Sequence, residues 1–274
     1  HSKSPLIHRM FAEQTGQDIS YEAILAPLDG FAATVERLRK EGYKGCNVTV
    51  PFKFEAFEIA TNLSQRVQAA KAVNTLWFKD NKIHGDNTDG VGLIRDIERN
   101  FGVSLQGKRV LLMGTGGAAW GVAVPLLLAN VTSVTIGYRN ESKAQQLLEG
   151  VSLTSMSLQL SLKNRQLISR SYMNLIDQPI SPEQQFDVVI NATSTGLSDE
   201  MPPLPPGIFA PGALAYDMMY GRETPFMKFA REHGAAVVAD GLGMLAEQAA
   251  ESFFLWRGVR PDARPVIEQL RKQQ

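Results

Sequence analysis

Gly114, Gly116 and Gly117 stand between an apolar run and an apolar helical pattern. Their chemistry would be phosphate binding. Gly114 permits a tight turn, and Gly116 lets the backbone approach a pyrophosphate. Thr115, Gly117 and Ala118 complete the turn. The run before it, Val110, Leu111, Leu112 and Met113, reads as a strand buried on both faces. The pattern after it, with Val122, Val124, Leu126, Leu127 and Leu128, reads as a helix over 118–129. Strand, glycine turn and helix in this order raise a weak motif to a credible dinucleotide site. The helix start offers free N–H groups and positive dipole to the phosphates. Ala119 is small enough for helix to pack on strand. The competing reading is a glycine loop in an ordinary α/β protein.

The next strand, 133–138, runs into Arg139-Asn140-Glu141-Ser142-Lys143. In this topology that strand end meets the adenosine ribose. An arginine suits the 2′-phosphate of NADP, and a carboxylate suits the free diol of NAD. Arg139 and Lys143, one helical turn apart, could clamp a dianion. NADP is therefore expected, while Glu141 keeps NAD open. A methyltransferase would want a carboxylate at the position of Arg139. A second polar cluster, Asp86-Asn87-Thr88-Asp89-Gly90, opens an amphipathic helix containing Val91, Leu93, Ile94 and Ile97. By residue type alone it reads as helix capping.

The elements that must position these groups alternate. Ser4 and Pro5 read as N-cap and first residue of a helix that stops near Gly16. A strand is expected over 21–25, a helix over 31–41, and a strand over 45–50 closed by Pro51. This implies a first α/β unit with a mostly parallel sheet. Helical stretches follow to Phe57 and around 67–72, then a hairpin of 73–78 and 82–85 about Lys79-Asp80-Asn81. Residues 151–178 are polar and resist assignment. Strands are expected at 186–190, 213–217 and 236–238, and helices at 224–233, 245–256 and 263–272. The histidines His1, His8, His84 and His233 are scattered, and each reads as an ordinary surface or loop residue.

The chain has 274 residues, enough for two domains, and 44% hydrophobic residues, ample for real cores. Lys+Arg and Asp+Glu are equal at 28 each, so neither nucleic acid nor an anionic membrane is expected as partner. No segment reads as a membrane span. The lone Cys46 excludes an intramolecular disulfide and fits a cytoplasmic location. No metal-ligand cluster is evident. The chain opens at His1 within a recognisable motif, which leads one to expect an upstream piece.

Several separated motifs, in order, resemble the shikimate dehydrogenase family over essentially the whole chain. They are Ser2-Lys3-Ser4-Pro5, Asn47-Val48-Thr49-Val50-Pro51-Phe52-Lys53, Ala72-Val73-Asn74-Thr75, Gly85 to Gly90, Asn191-Ala192-Thr193-Ser194, Tyr216 to Tyr220 and Asp240-Gly241-Leu242-Gly243-Met244. The resemblance implies reversible hydride transfer between NADPH and the ketone of 3-dehydroshikimate, giving shikimate. It implies Lys53 and Asp89 as the catalytic pair. Reducing a ketone puts negative charge on oxygen, which a positioned proton donor must neutralise. It further implies that Ser2 and Ser4 bind the substrate carboxylate, and that Thr49, Asn74 and Asp89 hold the ring hydroxyls. Tyr220 and Gln248 would reach in from the second domain. Arg139, Asn140, Lys143, Thr193, Met218, Gly241 and Met244 would join the glycine turn around the cofactor.

Other readings of single residues remain. Gln248 could face solvent, Ser4 could only cap its helix, and Met244 could be core. Three departures from the family pattern stand out: no short strand with a Gly-Asn-Pro turn precedes the serines, Tyr138-Arg139-Asn140 replaces Asn-Arg-Thr, and Trp120 replaces an arginine. Trp120 could cover the adenine side or pack under the helix. Within the family, a quinate or dual quinate/shikimate enzyme is the runner-up, and a binding module that lost its chemistry is a further alternative. The expected architecture is a substrate domain over 1–88 and a Rossmann-type NADP domain over 89–240. The helices of 241–274 return to the first domain, in a monomer or homodimer.

Overall fold

The computed structural model describes residues 2–157, 165–177 and 179–273; His1 and Gln178 lie outside them. The chain forms two lobes, each built on its own sheet. In the smaller lobe, α1 (Ser4–Thr15) is followed by α2 (Phe31–Lys40), β1 (Gly45–Asn47), α3 (Lys53–Ile59) and β2 (Asn62–Leu63). Then come α4 (Gln65–Ala70), β3 (Thr75–Lys79) and β4 (Lys82–Asp86), with α5 (Asp89–Arg95) leading out. The larger lobe adds β5 (Arg109–Met113), α6 (Gly117–Leu128), β6 (Ser133–Tyr138), α7 (Glu141–Ser157), β7 (Gln166–Ser171) and α8 (Tyr172–Ile176). It continues with β8 (Phe186–Asn191), β9 (Phe209–Asp217), α9 (Pro225–Glu232) and β10 (Val237–Ala239), before α10 (Leu242–Arg257) and α11 (Arg264–Arg271).

The large sheet has the order β10-β9-β8-β5-β6-β7, and every pairing in it is parallel. The chain leaves β5 toward β6 on one side and reaches β8 on the other. Such a switch point opens a crevice at the carboxyl ends of the strands, directly above the glycine turn. Val110, Leu111, Leu112 and Met113 are fully buried there, as a strand covered on both faces requires.

The small sheet corrects one expectation. Its order is β1-β3-β4-β2, and only β2 with β4 is parallel. β1 with β3 and β3 with β4 run antiparallel, the second pair because a turn as short as Asp80-Asn81 can only reverse the chain. Both turn residues have positive φ, 51° and 57°, as the twist of a two-residue hairpin demands.

Residues 21–25 form no strand. The segment has no ladder partner among the described residues; Tyr21 instead donates a hydrogen bond to Asn47 Oδ1 at 2.9 Å and stacks on His8 at 4.2 Å. β1 stops at Asn47, since the chain turns at Thr49, whose carbonyl accepts from Phe52 N at 3.0 Å. Ser4 is the first helical residue rather than the cap, and its N–H donates to Ser2 Oγ at 3.3 Å. The unassigned stretch contains the end of α7 and the edge strand β7, whose half-exposed faces carry no apolar alternation. His8 is fully buried, against expectation, because α1 turns that face onto Phe253 and Trp256.

Two helices join the lobes. α5 packs on α6 and α10, while α10 packs on α1 through Leu242, Ala246, Ala249 and Phe253 against Ile7 and Phe11. A Cβ at Gly92 would lie 2.8 Å from both Met244 O and Gln248 Cβ, so glycine lets the backbones of α5 and α10 touch.

Candidate active site

Lys53 is the first residue of α3. A cation at a helix start is disfavoured by the dipole, and here a carboxylate offsets it. Lys53 Nζ donates to Asp89 Oδ2 at 2.5 Å, with the two side chains only 14% and 8% exposed. A pair so shielded from water is held by geometry rather than by screened attraction. Asp89 itself opens α5 but does not cap it. Asn87 Oδ1 accepts from Asp89 N at 3.0 Å, which leaves the carboxylate free for Lys53 and Asn74.

Asn74 Nδ2 donates to Asp89 Oδ1 at 2.8 Å, and Asn74 Oδ1 accepts from Thr88 N at 2.8 Å. Gln248 does not face solvent. Its Oε1 accepts from Asn74 Nδ2 at 3.3 Å and from Thr88 Oγ1 at 3.2 Å. Lys53 of α3 and Asn74, just before β3, thus converge on the Asp89 carboxylate, and Gln248 of α10 is bonded to Asn74 behind it.

The glycine turn closes over this pair. A Cβ added at Gly117 would lie 3.8 Å from Lys53 Cβ and Cδ, and one at Gly121 would lie 3.2 Å from Asp89 Oδ2. Gly114 has φ 105°, and a Cβ there would be 3.1 Å from Thr193 Cγ2. Gly116 has nothing within 4 Å, which leaves open backbone at the start of α6. These features fit a dinucleotide pyrophosphate. Thr193 Oγ1 donates to Asn191 Oδ1 at 2.6 Å, fixing the loop after β8. Asp217 Oδ2 accepts from Asn191 Nδ2 at 3.1 Å and from Thr224 Oγ1 at 2.5 Å, tying the ends of β8 and β9 together. Burial raises the pKa of the Asp217 carboxyl, with these donors opposing it.

Arg139 and Lys143 are exposed at the end of β6 and make no ion pair among the described residues. Asn140 Oδ1 accepts from Lys143 N at 3.0 Å, so this side chain caps α7. Gly241 allows a close crossing: a Cβ there would lie 2.3 Å from Met218 O. Met244 is buried in the core of the large lobe, and Met218 packs at its border. Trp120, on α6, packs against α7, where its ring fills the space beside Gly150.

Ser2 is exposed, Ser4 is half-buried in the first turn of α1, and Thr49 is exposed before α3. Tyr220 packs beside α1 and α10, and burial raises its pKa. None of these four joins the hydrogen bonds of the pair. Sequence reasoning missed Asn87, Thr88 and Ser252. Ser252 lies four residues after Gln248, so helical spacing alone puts both on one face of α10. Among the described residues, no group of three or more His, Cys, Asp or Glu side chains could hold a metal ion, and no helix is long and apolar enough to cross a membrane.

Fold and site together define a two-lobed α/β oxidoreductase of the dinucleotide-dependent class, with an ammonium–carboxylate pair beside the glycine turn. Residues 1–76 match the profile of the shikimate dehydrogenase substrate binding domain, and 241–271 match that of the shikimate 5′-dehydrogenase C-terminal domain. The chain is 57% identical to the shikimate dehydrogenase (NADP(+)) of Methylobacillus flagellatus, over 99% of this chain and 95% of that one. It is 54% identical to the same enzyme of Nitrosospira multiformis, over 99% and 93%. Among solved structures, an Ael1 enzyme from Pseudomonas putida superposes with a TM-score of 0.85 at 47% identity, over 98% of this chain and 94% of that one. A shikimate 5-dehydrogenase from Thermus thermophilus in complex with NADP(H) and shikimate superposes with a TM-score of 0.82 at 29% identity, over 100% and 95%. The chain belongs to the shikimate dehydrogenase family.

Proposed function

We propose that this chain catalyses the reversible, NADPH-dependent reduction of 3-dehydroshikimate to shikimate, in aromatic amino-acid biosynthesis. The observation that carries the reading is the Lys53–Asp89 pair at 2.5 Å under the glycine turn. NADPH, when bound, supplies the hydride. Lys53 Nζ then donates a proton to the developing alkoxide, and Asp89 keeps the ammonium oriented. In the reverse direction the same pair takes the proton from the ring hydroxyl. Asn74 and Gln248 offer neutral donors and acceptors to the ring hydroxyls, since each hydroxyl left unpaired in a closed site costs binding. Ser2 and Ser4 would hold the substrate carboxylate, Thr49 a ring hydroxyl, and Tyr220 would close the far side.

On the cofactor side, Gly114, Thr115, Gly116, Gly117 and Ala118 would cradle the pyrophosphate. Arg139 and Lys143 would read the 2′-phosphate, which their exposure and freedom from ion pairs support. Thr193, Met218, Gly241 and Met244 would line the nicotinamide side, and Asn140 would act through its cap on α7. The proposed division is 1–88 with 241–274 for substrate, and 89–240 for cofactor. A cytoplasmic monomer or homodimer is the working form. The half-buried Cys46 thiol, pushed up to about 12 by desolvation, suits a structural rather than reactive role there.

The test is spectrophotometric reduction of NADP⁺ and NAD⁺ with shikimate and with quinate. Shikimate with NADP⁺ should be the preferred pair by kcat/KM. Preference for quinate with NAD⁺ would overturn the proposal.

A further inference from the structure

Asn74 reaches Asp89 through its amide nitrogen, yet an amide fits its pocket either way round unless its neighbours choose. Thr88 N–H can only donate, so it demands the oxygen at 2.8 Å. The second choice is made by a chain of hydrogen bonds with one direction. Tyr21 OH donates to Asn47 Oδ1 at 2.9 Å, which turns Asn47 Nδ2 toward Ser252 Oγ at 3.0 Å. Ser252 Oγ and Thr75 Oγ1 are 2.8 Å apart, and Thr75 Oγ1 lies 2.9 Å from Asn74 Oδ1. Each hydroxyl has one proton. If Thr75 is to donate to Asn74 Oδ1, the proton between Thr75 and Ser252 must come from Ser252, whose other acceptor, the Gln248 carbonyl, lies farther away at 3.1 Å. The order is then Tyr21, Asn47, Ser252, Thr75, Asn74 and finally Asp89 Oδ1, each group donating to the next. Chains of this kind polarise and strengthen their members. Thr75 and Ser252 have no exposure, so neither can touch substrate.

We propose that Thr75 and Ser252 are positioning residues. Their hydroxyls hold the Asn74 amide with nitrogen toward Asp89, and so hold Asp89 against Lys53. Ser252 belongs to α10, so the helix that joins the lobes takes part in setting the reacting pair. The proposal rests on Lys53 and Asp89 being that pair.

The test compares wild type with Thr75→Val, which keeps shape and loses the hydroxyl, Thr75→Ser, which keeps the hydroxyl, and Ser252→Ala. Loss of one satisfied buried partner should lower kcat for shikimate about tenfold in Thr75→Val. Thr75→Ser should stay within about threefold of wild type, and the KM for NADP⁺ should stay within about twofold throughout. Ser252→Ala should fall in the same direction as Thr75→Val. The double variant should be no worse than Thr75→Val, because both act on one chain of bonds. Equal losses in Thr75→Val and Thr75→Ser, or fully additive losses in the double variant, would overturn the proposal. If Thr75→Val fails to fold, Ser252→Ala against wild type carries the same comparison of kcat with KM. A wild type that turned over neither shikimate nor quinate would sink the functional reading alone. Calorimetric binding of shikimate would still judge the positioning role: about tenfold weaker in Thr75→Val but not in Thr75→Ser supports it, and equal affinities refute it.

Discussion

Acid should destabilise this fold through His8, and the size of the effect follows from its burial. The ring is fully buried, stacked on Tyr21 at 4.2 Å and tilted against Trp256 at 5.4 Å. Neither ring nitrogen has a hydrogen bond of ordinary geometry, and nearby Asn47 only partly offsets the loss of water. Desolvation lowers its pKa from 6.5 to about 3. Above 6.5 both the folded and the unfolded chain carry a neutral ring, so nothing is lost. Between 6.5 and about 3 only the unfolded chain binds the proton, and stability falls as the pH falls. Below about 3 both states bind it, and the slope from this group ends.

Each pH unit in that window costs about 1.4 kcal/mol. At pH 5 the loss is about 2 kcal/mol, and at its limit roughly 5 kcal/mol. For a chain of this size, about 2 kcal/mol lowers Tm by roughly 4 °C or somewhat more. The perturbation is His8→Phe, which keeps an aromatic ring in the stack and removes the titration. Scanning calorimetry of both proteins from pH 7.5 to 4.5 is the assay. The wild type should lose several degrees more than His8→Phe between pH 6.5 and 5. Parallel curves would refute the reasoning, because surface carboxylates affect both proteins alike.

Lys53→Ala should lower kcat by about a hundredfold or more with little change in KM, as loss of a proton donor predicts; near-normal turnover would remove Lys53 from the chemistry. Arg139→Ala should raise the KM for NADP⁺ far more than that for NAD⁺, and equal changes in steady-state kinetics would show that Arg139 does not read the 2′-phosphate. In Gly243→Ala the new Cβ would be 1.9 Å from Asp96 Oδ1, which already accepts from Asn100 at 2.8 Å. Such overpacking costs about 1–3 kcal/mol, so Tm should drop by several degrees, and an unchanged Tm would mean that α10 shifts freely over α5.

Much of the scaffold could be read in the chain. β5, the glycine turn and α6 are local: an apolar run, a left-handed glycine and a helical pattern each act over a few residues. The hairpin at Asp80-Asn81 is equally local, since its positive φ values suit those residue types. The segment 21–25 failed because a strand needs a partner, and partners are distant in sequence. His8 failed for a related reason. One histidine on a helix reads the same whether that face meets water or Trp256.

At the site, separated motifs named Lys53, Asn74 and Asp89, and the family resemblance added Gln248, but residue types alone gave the cluster at Asp86 to Gly90 no more than a capping role. The sequence by itself determined the local elements and the kinds of groups available, because backbone preference and side-chain chemistry are properties of short stretches. Only the tertiary structure decided which donor faces which acceptor. That choice depends on burial and on helices brought together from opposite ends of the chain, as when α10 sets Ser252 against Thr75.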